Sequence, residues 1–488
     1  MSVFIFGQKQ HNMREDTLGL VTVQGAGSIN NVTVTVSGCD VDRLTSLMNQ
    51  FTSDVLATDP ASIREKTMSS DHHSFSTANA VGYGAVTTNG AYQLAGNVGF
   101  LAVGTLDPNK SSLNYEAFID ARDVTSHIDV AAGTQHGITY MGGTAGGNIV
   151  AADGTNLINV AGGNWKIDTG CGNDTIMSAT GSDTVNAGKG DNFVYLGGDN
   201  NVITSEGQDT VTALGTSNNI TIYGGSSQIT AGKSSYVIDT AGNDNITVDD
   251  SSFVFGGHND VITTHGSATV TSGMSDTISA CGDLQEFGFN SDVETTVTGR
   301  LEFIGGSRTG NQTVTAGQST IFGGSGMDMK IFGTTNQGDT TLGGQQSFES
   351  QLFVAGQGNE TIDASGSVFG LHAFGTNIGD TGTQVMIGGT STDTLVVGVG
   401  NATLTGGTGD ANFFALRDGI AGYDYTITDF ASAAGNIVAL YHYKESDITN
   451  AVANQTHSGG NTTVTLSDNS QITFLGVNDV KGSDFVIW

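Results

Sequence analysis

The chain has 488 residues, and 48 acidic against 16 basic side chains give it a formal charge of −32. A field of that sign repels nucleic acid and anionic lipid and favours multivalent cations, so a nucleic-acid partner is not expected. The chain contains 72 glycines but 2 prolines and no run of 18 apolar residues, which excludes collagen, proline-rich linkers and a membrane-spanning helix.

The N-terminal segment, residues 1–130, is predicted to be a mixed α/β region. Residues 29–38 (INNVTVTVSG) alternate as a strand does, and residues 40–57 place Val41, Leu44 and Phe51 at helical spacing, with Asp40 as a candidate N-cap. Residues 60–130 show no clear period. An amphipathic helix of this kind is typical of a packed cap, and a role in assembly is the alternative.

A nine-residue period begins near residue 149. Residues 169–204 read TGCGNDTIM, SATGSDTVN, AGKGDNFVY and LGGDNNVIT, with an aliphatic residue eighth in every block. Following that position at steps of nine or eight gives a column of aliphatic residues: Ile149, Ile158, Ile167, Ile176, Val185, Val194, Ile203, Val211, Ile220, Ile229, Ile238, Ile246, Val254, Ile262, Val270 and Ile278. The period resumes at residues 388–414, with Leu395, Leu404 and Phe413 in the eighth position.

A constant nine-residue step indicates a solenoid rather than a helix or a meander. Two blocks make one coil of about 18 residues, and residues one coil apart stack at the strand spacing of roughly 4.8 Å. The predicted fold class is therefore all-β, a parallel β-roll or β-helix solenoid. The predicted domains are 1–130, a solenoid over 131–414, and a C-terminal β region over 415–488.

The turn residues predict cation binding. A glycine at position four can take a positive φ, and an aspartate at position six points its carboxylate at the next turn, so stacked turns line up the hard oxygen ligands that Ca²⁺ prefers. The pairs that obey this rule are Gly172/Asp174, Gly181/Asp183, Gly207/Asp209 and Gly242/Asp244. Asp260, Asp276 and Asp393 keep the carboxylate without the glycine. The alternative is that each aspartate only forms a turn.

These blocks resemble the nonapeptide of the repeats-in-toxin (RTX, hemolysin-type) family, GGxGxDx(aliphatic)x; GGTSTDTLV and TGCGNDTIM are near matches. The resemblance implies a β-roll that folds around Ca²⁺. Many blocks depart from the pattern, because Asn192, Asn201 and Asn218 replace the aspartate and Tyr236, Ser252 and Ala268 offer weak ligands or none. We therefore expect calcium at a few aspartate-bearing turns, with Asn, Ser and Thr holding the others.

The last 80 residues, with TITDF, QITFLG and the terminal DFVIW, are similar to the C-terminal region of type I secretion substrates. That resemblance implies export by a type I apparatus and an extracellular or cell-surface location. The N-terminus has no basic region followed by a long apolar stretch, so no Sec signal is expected. In the cytosol, low free calcium would leave the acidic turns repelling one another, and calcium outside would fold them.

The expected function is structural, because the solenoid fills most of the chain and no catalytic motif accompanies it. We expect a secreted protein that self-assembles as a surface layer, a filament or a biofilm matrix, with its own copies and cell-surface polysaccharide as partners. An adhesin or glycan-binding module is the alternative. A polysaccharide lyase or epimerase, for which Asp249 and Asp250 are candidate acids, ranks lower, and so does an ice-binding protein. Cys39, Cys171 and Cys281 are expected to be unpaired thiols.

Overall fold

The fold is that of a computed structural model of the full chain. The residues that it describes are 19–24, 31–36, 41–106, 115–152, 154–288, 292–305, 310–323, 327–333, 350–355, 359–367, 370–375, 382–409, 411–417 and 423–488. They form two compact units, residues 1–229 and 230–488.

The first unit contains one helix, α1 (Val41–Ala57), and a short 3-10 helix (Pro60–Ser62) among its described residues. Its strands are β1 (Gly19–Gln24), β2 (Asn31–Val36), β3 (Ile63–Met68), β4 (Ser74–Val86), β5 (Gly90–Val103), β6 (Ala117–Val124), β7 (Ile128–Ala132), β8 (Ile138–Gly142), β9 (Gly147–Ala151), β10 (Leu157–Val160), β11 (Trp165–Asp168), β12 (Thr175–Ser178), β13 (Thr184–Asn186), β14 (Phe193–Leu196), β15 (Val202–Ser205), β16 (Thr210–Ala213) and β17 (Asn219–Ile222). Strand β18 (Gln228–Ala231) lies at the division between the units.

The strands of the second unit are β19 (Tyr236–Asp239), β20 (Asn245–Val248), β21 (Ser252–Phe255), β22 (Val261–Thr264), β23 (Ala268–Thr271), β24 (Thr277–Ala280), β25 (Leu284–Gly288), β26 (Val293–Gly305), β27 (Gly310–Phe322), β28 (Met327–Gly333), β29 (Ser350–Val354), β30 (Glu360–Asp363), β31 (Gly370–Phe374), β32 (Gln384–Ile387), β33 (Thr394–Val396), β34 (Ala402–Thr405), β35 (Phe413–Arg417), β36 (Asp424–Ile427), β37 (Ile437–Tyr441), β38 (Thr456–Ser458), β39 (Asn461–Thr465), β40 (Gln471–Phe474) and β41 (Phe485–Ile487). Its helices are α2 (Glu445–Ala453) and two 3-10 turns (Phe430–Ser432 and Gly482–Asp484).

Between β3 and β37 the strands pair in parallel with strands about one coil away, which confirms the predicted all-β solenoid of about 16 turns. The coil is 18 residues long between β10 and β14, since Leu157 pairs with Thr175 and Thr175 with Phe193. It shortens to 17 residues from Phe193 to Thr210 and to 16 from Asn245 to Val261, and it lengthens to 24 from Glu360 to Gln384. Each eight-residue step in the sequence therefore marks one shorter turn.

The predicted aliphatic column forms the interior, and Ile176, Val185, Val194 and Ile203 are at most 1% exposed. At two positions of the column the predicted inward residue was wrong by one. Val237 is buried instead of Ile238, and Phe414 instead of Phe413. In each case both neighbours are apolar, so composition does not choose between them, and the lengths of the adjoining turns set which one points inward.

The N-terminal helix was predicted correctly, and α1 buries Phe51 and Val55 against Tyr83, Phe100 and Val150. The proposed N-cap Asp40 and the side chains of Val41 and Leu44 lie outside the described residues. The parallel strand ladder begins at Ile63, because β3 pairs with β4 and β4 with β5. The ladder therefore reaches to the N-terminal side of residue 131, and the division into three domains stays a prediction.

The C-terminal residues end the parallel ladder with antiparallel strands. Strand β39 pairs antiparallel with both β38 and β40, and β40 pairs in parallel with β36. The hairpin therefore occupies an edge that would otherwise be open to pairing with another chain.

The expectation of unpaired cysteines was wrong for one of them. Cys171 is disulfide-bonded and Cys281 is a free, exposed thiol. Cys39 lies outside the described residues.

Candidate metal centre

The sixth residue of each block forms a buried polar ladder along the first unit. The backbone N–H of Asn156 donates to Oδ1 of Asp174 (2.7 Å), that of Asp174 to Oδ1 of Asn192 (2.9 Å), and that of Asn192 to Oδ1 of Asp209 (2.7 Å). These side chains are at most 3% exposed. Because the contact needs only an oxygen acceptor one coil away, Asp, Asn and Ser can replace one another in it.

A second ladder follows the opposite wall of the same unit. The Trp165 N–H donates to Oδ1 of Asp183 (2.8 Å), and the Asp183 N–H donates to Oδ1 of Asn201 (2.9 Å). Along both ladders the aspartates of the first unit alternate with neutral residues. Carboxylates one coil apart are therefore not adjacent there.

The turns need glycine at all four predicted positions. Gly172, Gly181 and Gly242 have φ values of +134°, +119° and +126°. A Cβ on Gly172 would also lie 2.0 Å from the carbonyl oxygen of Gly154 one coil away. The positive φ and this close approach exclude a side chain. Gly207 does not have a positive φ, but a Cβ there would lie 1.6 Å from the carbonyl oxygen of Gly190.

Carboxylates become adjacent in the second unit. The Asp244 N–H donates to Oδ1 of Asp260 (3.0 Å), and the Asp260 N–H donates to Oδ1 of Asp276 (3.0 Å). Three successive coils thus place three buried aspartates on one ladder, without an Asn or Ser between them. All three were predicted as ligands.

Asp239 joins two of these aspartates to form the acidic cluster, which we define as Asp239, Asp244 and Asp260. One carboxylate oxygen of each lies within 4.8 Å of the others, and all three residues are buried. It is the one such group of three acidic, histidine or cysteine ligands among the residues that the structure describes. Oδ1 of Asp239 accepts the Ala241 N–H (2.8 Å), while its Oδ2 is buried without a hydrogen-bond donor.

The electrostatics of the acidic cluster favour a bound cation. Burial, the adjacent carboxyl of Asp244 and the negative charge of Asp260 together raise the pKa of Asp239 to about 9. Burial also raises the pKa of Asp260. Like charges in a dry site cannot all ionise unless a positive charge compensates them. A divalent cation supplies that charge without using a proton.

The residues present fit a calcium ion. Three carboxylates are hard oxygen donors, and the Asp239 Oδ2 has no other partner. Gly257 leaves the space beside this oxygen open, because a Cβ there would lie 2.9 Å from it. When bound, calcium would link the turn before β20 to the turn before β22, one coil apart.

The other predicted ligands lie outside the acidic cluster. Asp393 accepts the N–H groups of Leu371 (2.6 Å, Oδ1) and Gly389 (3.0 Å, Oδ2), and burial raises its pKa to about 6. Burial likewise raises the pKa of Asp174 and of Asp276 to about 6. Asp209 accepts a short hydrogen bond from Ser205. The set Gly172, Asp174, Gly181, Asp183, Gly207, Asp209, Gly242, Asp244, Asp260, Asp276 and Asp393 stays a prediction for calcium.

Sequence reasoning missed Asp239, although a signal for it was available. Alternate residues of a strand face the same side, so an inward Val237 requires an inward Asp239. The choice of Ile238 as the inward residue would have pointed Asp239 at solvent. The error in register and the missed ligand therefore have one cause.

A second buried acid was also missed. Glu286 takes a core position of the wall, where Thr295 Oγ1 (2.8 Å) and Gln312 Nε2 (3.3 Å) donate to its carboxyl oxygens. Burial raises its pKa to about 7. This is a polar contact inside the solenoid and has no place in the acidic cluster.

These features define a class of protein, the calcium-binding repeat proteins with a parallel β-solenoid. Residues 168–203 match the family model of the RTX calcium-binding nonapeptide repeat, in four copies. The chain therefore carries repeats of the RTX family, which bind calcium and imply a secreted protein. No curated protein and no solved structure matches the chain.

The RTX β-roll is typically structural, and the family suggests a substrate of type I secretion. Within the described residues no helix is both long and apolar enough to cross a membrane.

Proposed function

We propose that the protein is an extracellular structural protein that self-assembles when calcium folds its solenoid. The observation that carries the proposal is the stack of buried aspartates at Asp244, Asp260 and Asp276, with Asp239 beside the first two. A site of this kind holds successive coils together only when a cation compensates its charge. Folding, and with it any assembly surface, then depends on extracellular calcium.

Electron microscopy of the full chain tests the assembly. With millimolar calcium we expect ordered sheets, filaments or matrix fibres, and with a chelator we expect none, because the net charge of −32 opposes contact between uncompensated copies. Monodisperse particles in calcium would contradict self-assembly. If those particles also bind glycan, the alternative function of an adhesin or glycan-binding module is supported.

The export route has its own test. Removal of residues 429–488 is expected to abolish secretion through a type I apparatus, because the segment with the resemblance to such signals is lost. The matched control removes residues 1–40, which leaves that segment in place. The measurement is the amount of each chain in the medium, and undiminished export of the first variant would show that the terminal resemblance was misread.

Ice binding remains the weaker alternative. One outward column contains Thr247, Thr263, Ser279, Thr296 and Thr315 through successive pairings. The column beside it contains Asn245, Val261, Thr277, Glu294 and Thr313. The acid Glu294 and the apolar Val261 interrupt this second column, so the face is not a regular two-row hydroxyl array.

A further inference from the structure

One wall of the second unit carries a column of mostly apolar side chains, which we call the apolar column; Thr271, 8% exposed, is its one polar member. Its aromatic members point away from the core at every second coil and are Phe255, Phe287, Phe322 and Phe374. The members at the coils between and after them are Thr271, Ile304, Val354 and Val396.

The column is continuous because each member is the strand partner of the next. Phe255 pairs with Thr271, Thr271 with Phe287, and Phe287 with Ile304. The pairing continues from Ile304 through Phe322 to Val354, and from there through Phe374 to Val396. The side chains therefore stand about 4.8 Å apart along the wall, and the phenylalanines about 10 Å apart.

Three of these rings are well exposed to solvent. Phe255 is 45% exposed, Phe322 42% and Phe374 37%. Isolated apolar side chains on a surface need no explanation, but a contiguous row of them marks an interaction site. In the first unit Val202, which is 44% exposed, is an isolated apolar residue between its strand partners Thr184 and Asn219.

The first unit shows how this fold covers an apolar outer face. Helix α1 places Phe51 and Val55 on Tyr83, Phe100 and Val150, which are thereby buried. Among the described residues of the second unit the one α-helix, α2, packs on β39 and the last 3-10 turn, not on the apolar column. Phe255, Phe322 and Phe374 therefore remain exposed, with no helix of the described part of their own unit packed on them.

The face carries almost no net charge. Its described outward positions from Phe253 to Val396 include one acid, Glu302, one arginine, Arg300, and one histidine, His372. The whole chain carries a net charge of −32. Two copies can therefore approach through this face with far less repulsion than through most of their surface.

The size and shape of the face suit a second copy of the chain. Eight coils at about 4.8 Å and a strand width of about 13 Å give roughly 500 Å² for each copy, and so roughly 1,000 Å² in total, the lower range of specific interfaces. A second copy can be related to the first by a two-fold axis that passes between two coils, so that the two solenoids run antiparallel. Each phenylalanine of one copy then lies opposite a smaller member of the column in the other copy. The alternation of large and small side chains is then complementary to itself.

We propose that the apolar column packs against the same column of a second copy in antiparallel orientation and forms a lateral, two-fold contact. This proposal rests on the proposed self-assembly only in requiring that copies of the chain meet. Contacts at the ends of the solenoid would lengthen an assembly, whereas this contact pairs solenoids side by side.

The test replaces four rings in the full chain: Phe255→Thr, Phe287→Thr, Phe322→Thr and Phe374→Thr. Threonine already occupies the outward position at Thr271 and has a high strand propensity, so the wall is expected to persist. The matched control replaces two exposed apolar residues of the other wall, Val261→Thr and Phe332→Thr. Circular dichroism in calcium checks that all three chains are folded.

Sedimentation equilibrium in calcium measures the association. At protein concentrations below the onset of polymer formation, we expect dimers for the parent and the control, and a dissociation constant raised at least ~100-fold for the fourfold variant. In electron microscopy the variant is expected to give single filaments or unpaired layers where the parent gives paired ones. That result would separate the lateral contact from polymerisation through the ends.

Three results would overturn the proposal. The first is a parent that stays monomeric at concentrations of about 100 μM. A parent that forms dimers but no polymer would, by contrast, support the lateral contact and contradict only the larger assembly. The second is unchanged association of the folded fourfold variant. The third is a monomeric parent that binds a β-linked glycan through the four rings, because the face would then be a stacking platform for sugar.

Discussion

The calcium-free protein is expected to lose stability as the pH rises from about 4 to about 7. Its buried carboxyls are the reason. Burial raises the pKa of Asp174, Asp276 and Asp393 to about 6 and that of Glu286 to about 7. In the unfolded chain these groups have ordinary values near 4.

Between the two pKa values the folded protein holds protons that the unfolded chain has released. The free energy of unfolding therefore decreases with pH across that window, and the stabilisation is complete only below about pH 4. A rise from 3.8 to about 6 corresponds to ~3 kcal/mol for one aspartate. Calcium reverses the trend, because it binds the ionised carboxylates and competes with protons.

Urea unfolding followed by circular dichroism at a series of pH values measures both curves. We expect the midpoint in chelator to fall between pH 4 and pH 7 and the midpoint in millimolar calcium to rise or stay level. Two parallel curves would contradict the claim that calcium compensates the buried carboxylates. The variant Glu286→Gln distinguishes the effect of the interior acid from that of the aspartates in the turns. It should reduce the fall of the urea midpoint with pH in chelator and leave the stabilisation by calcium unchanged.

Asp239→Asn is expected to stabilise the calcium-free protein at pH 7 and to remove much of the stabilisation by calcium. The substitution replaces a carboxyl, whose ionisation is opposed by burial and by Asp244 and Asp260, with a neutral side chain of the same shape. Without calcium the gain is expected to be ~1–3 kcal/mol. With calcium at about 1,000 times its dissociation constant, up to ~4 kcal/mol of ligand-derived stability is lost.

The matched control is Asp479→Asn, which makes the same exchange of side chains at a residue that is 72% exposed. It should change neither midpoint by more than ~0.5 kcal/mol. Isothermal calorimetry adds a direct readout, with at least one calcium fewer per chain in Asp239→Asn than in the control. An unchanged calcium stoichiometry in a folded variant would show that the acidic cluster is not the site.

The nine-residue period, with its aliphatic residue in the eighth position, was enough to predict most of the solenoid from the sequence. Ile176, Val194 and Ile203 lie where it predicts, because one β-branched residue in every half coil must fill a thin interior. The same period placed Asp174, Asp183 and Asp244 in the turns, and all three are buried on the ladder. Residues 63–124 showed no period because β4 and β5 are 13 and 14 residues long and pair with shifts of register.

The tertiary structure alone decided which of two adjacent apolar residues faces inward. The step from Ile229 to the next coil could end at Val237 or Ile238, and only the length of the intervening turn, packed against its neighbours, selects Val237. That choice turns Asp239 inward to Asp244 and Asp260, and it turns Ile238 outward to pair with Phe255 at the start of the apolar face. A strand has a period of two, so one residue of register decides both the candidate cation site and the exposed surface.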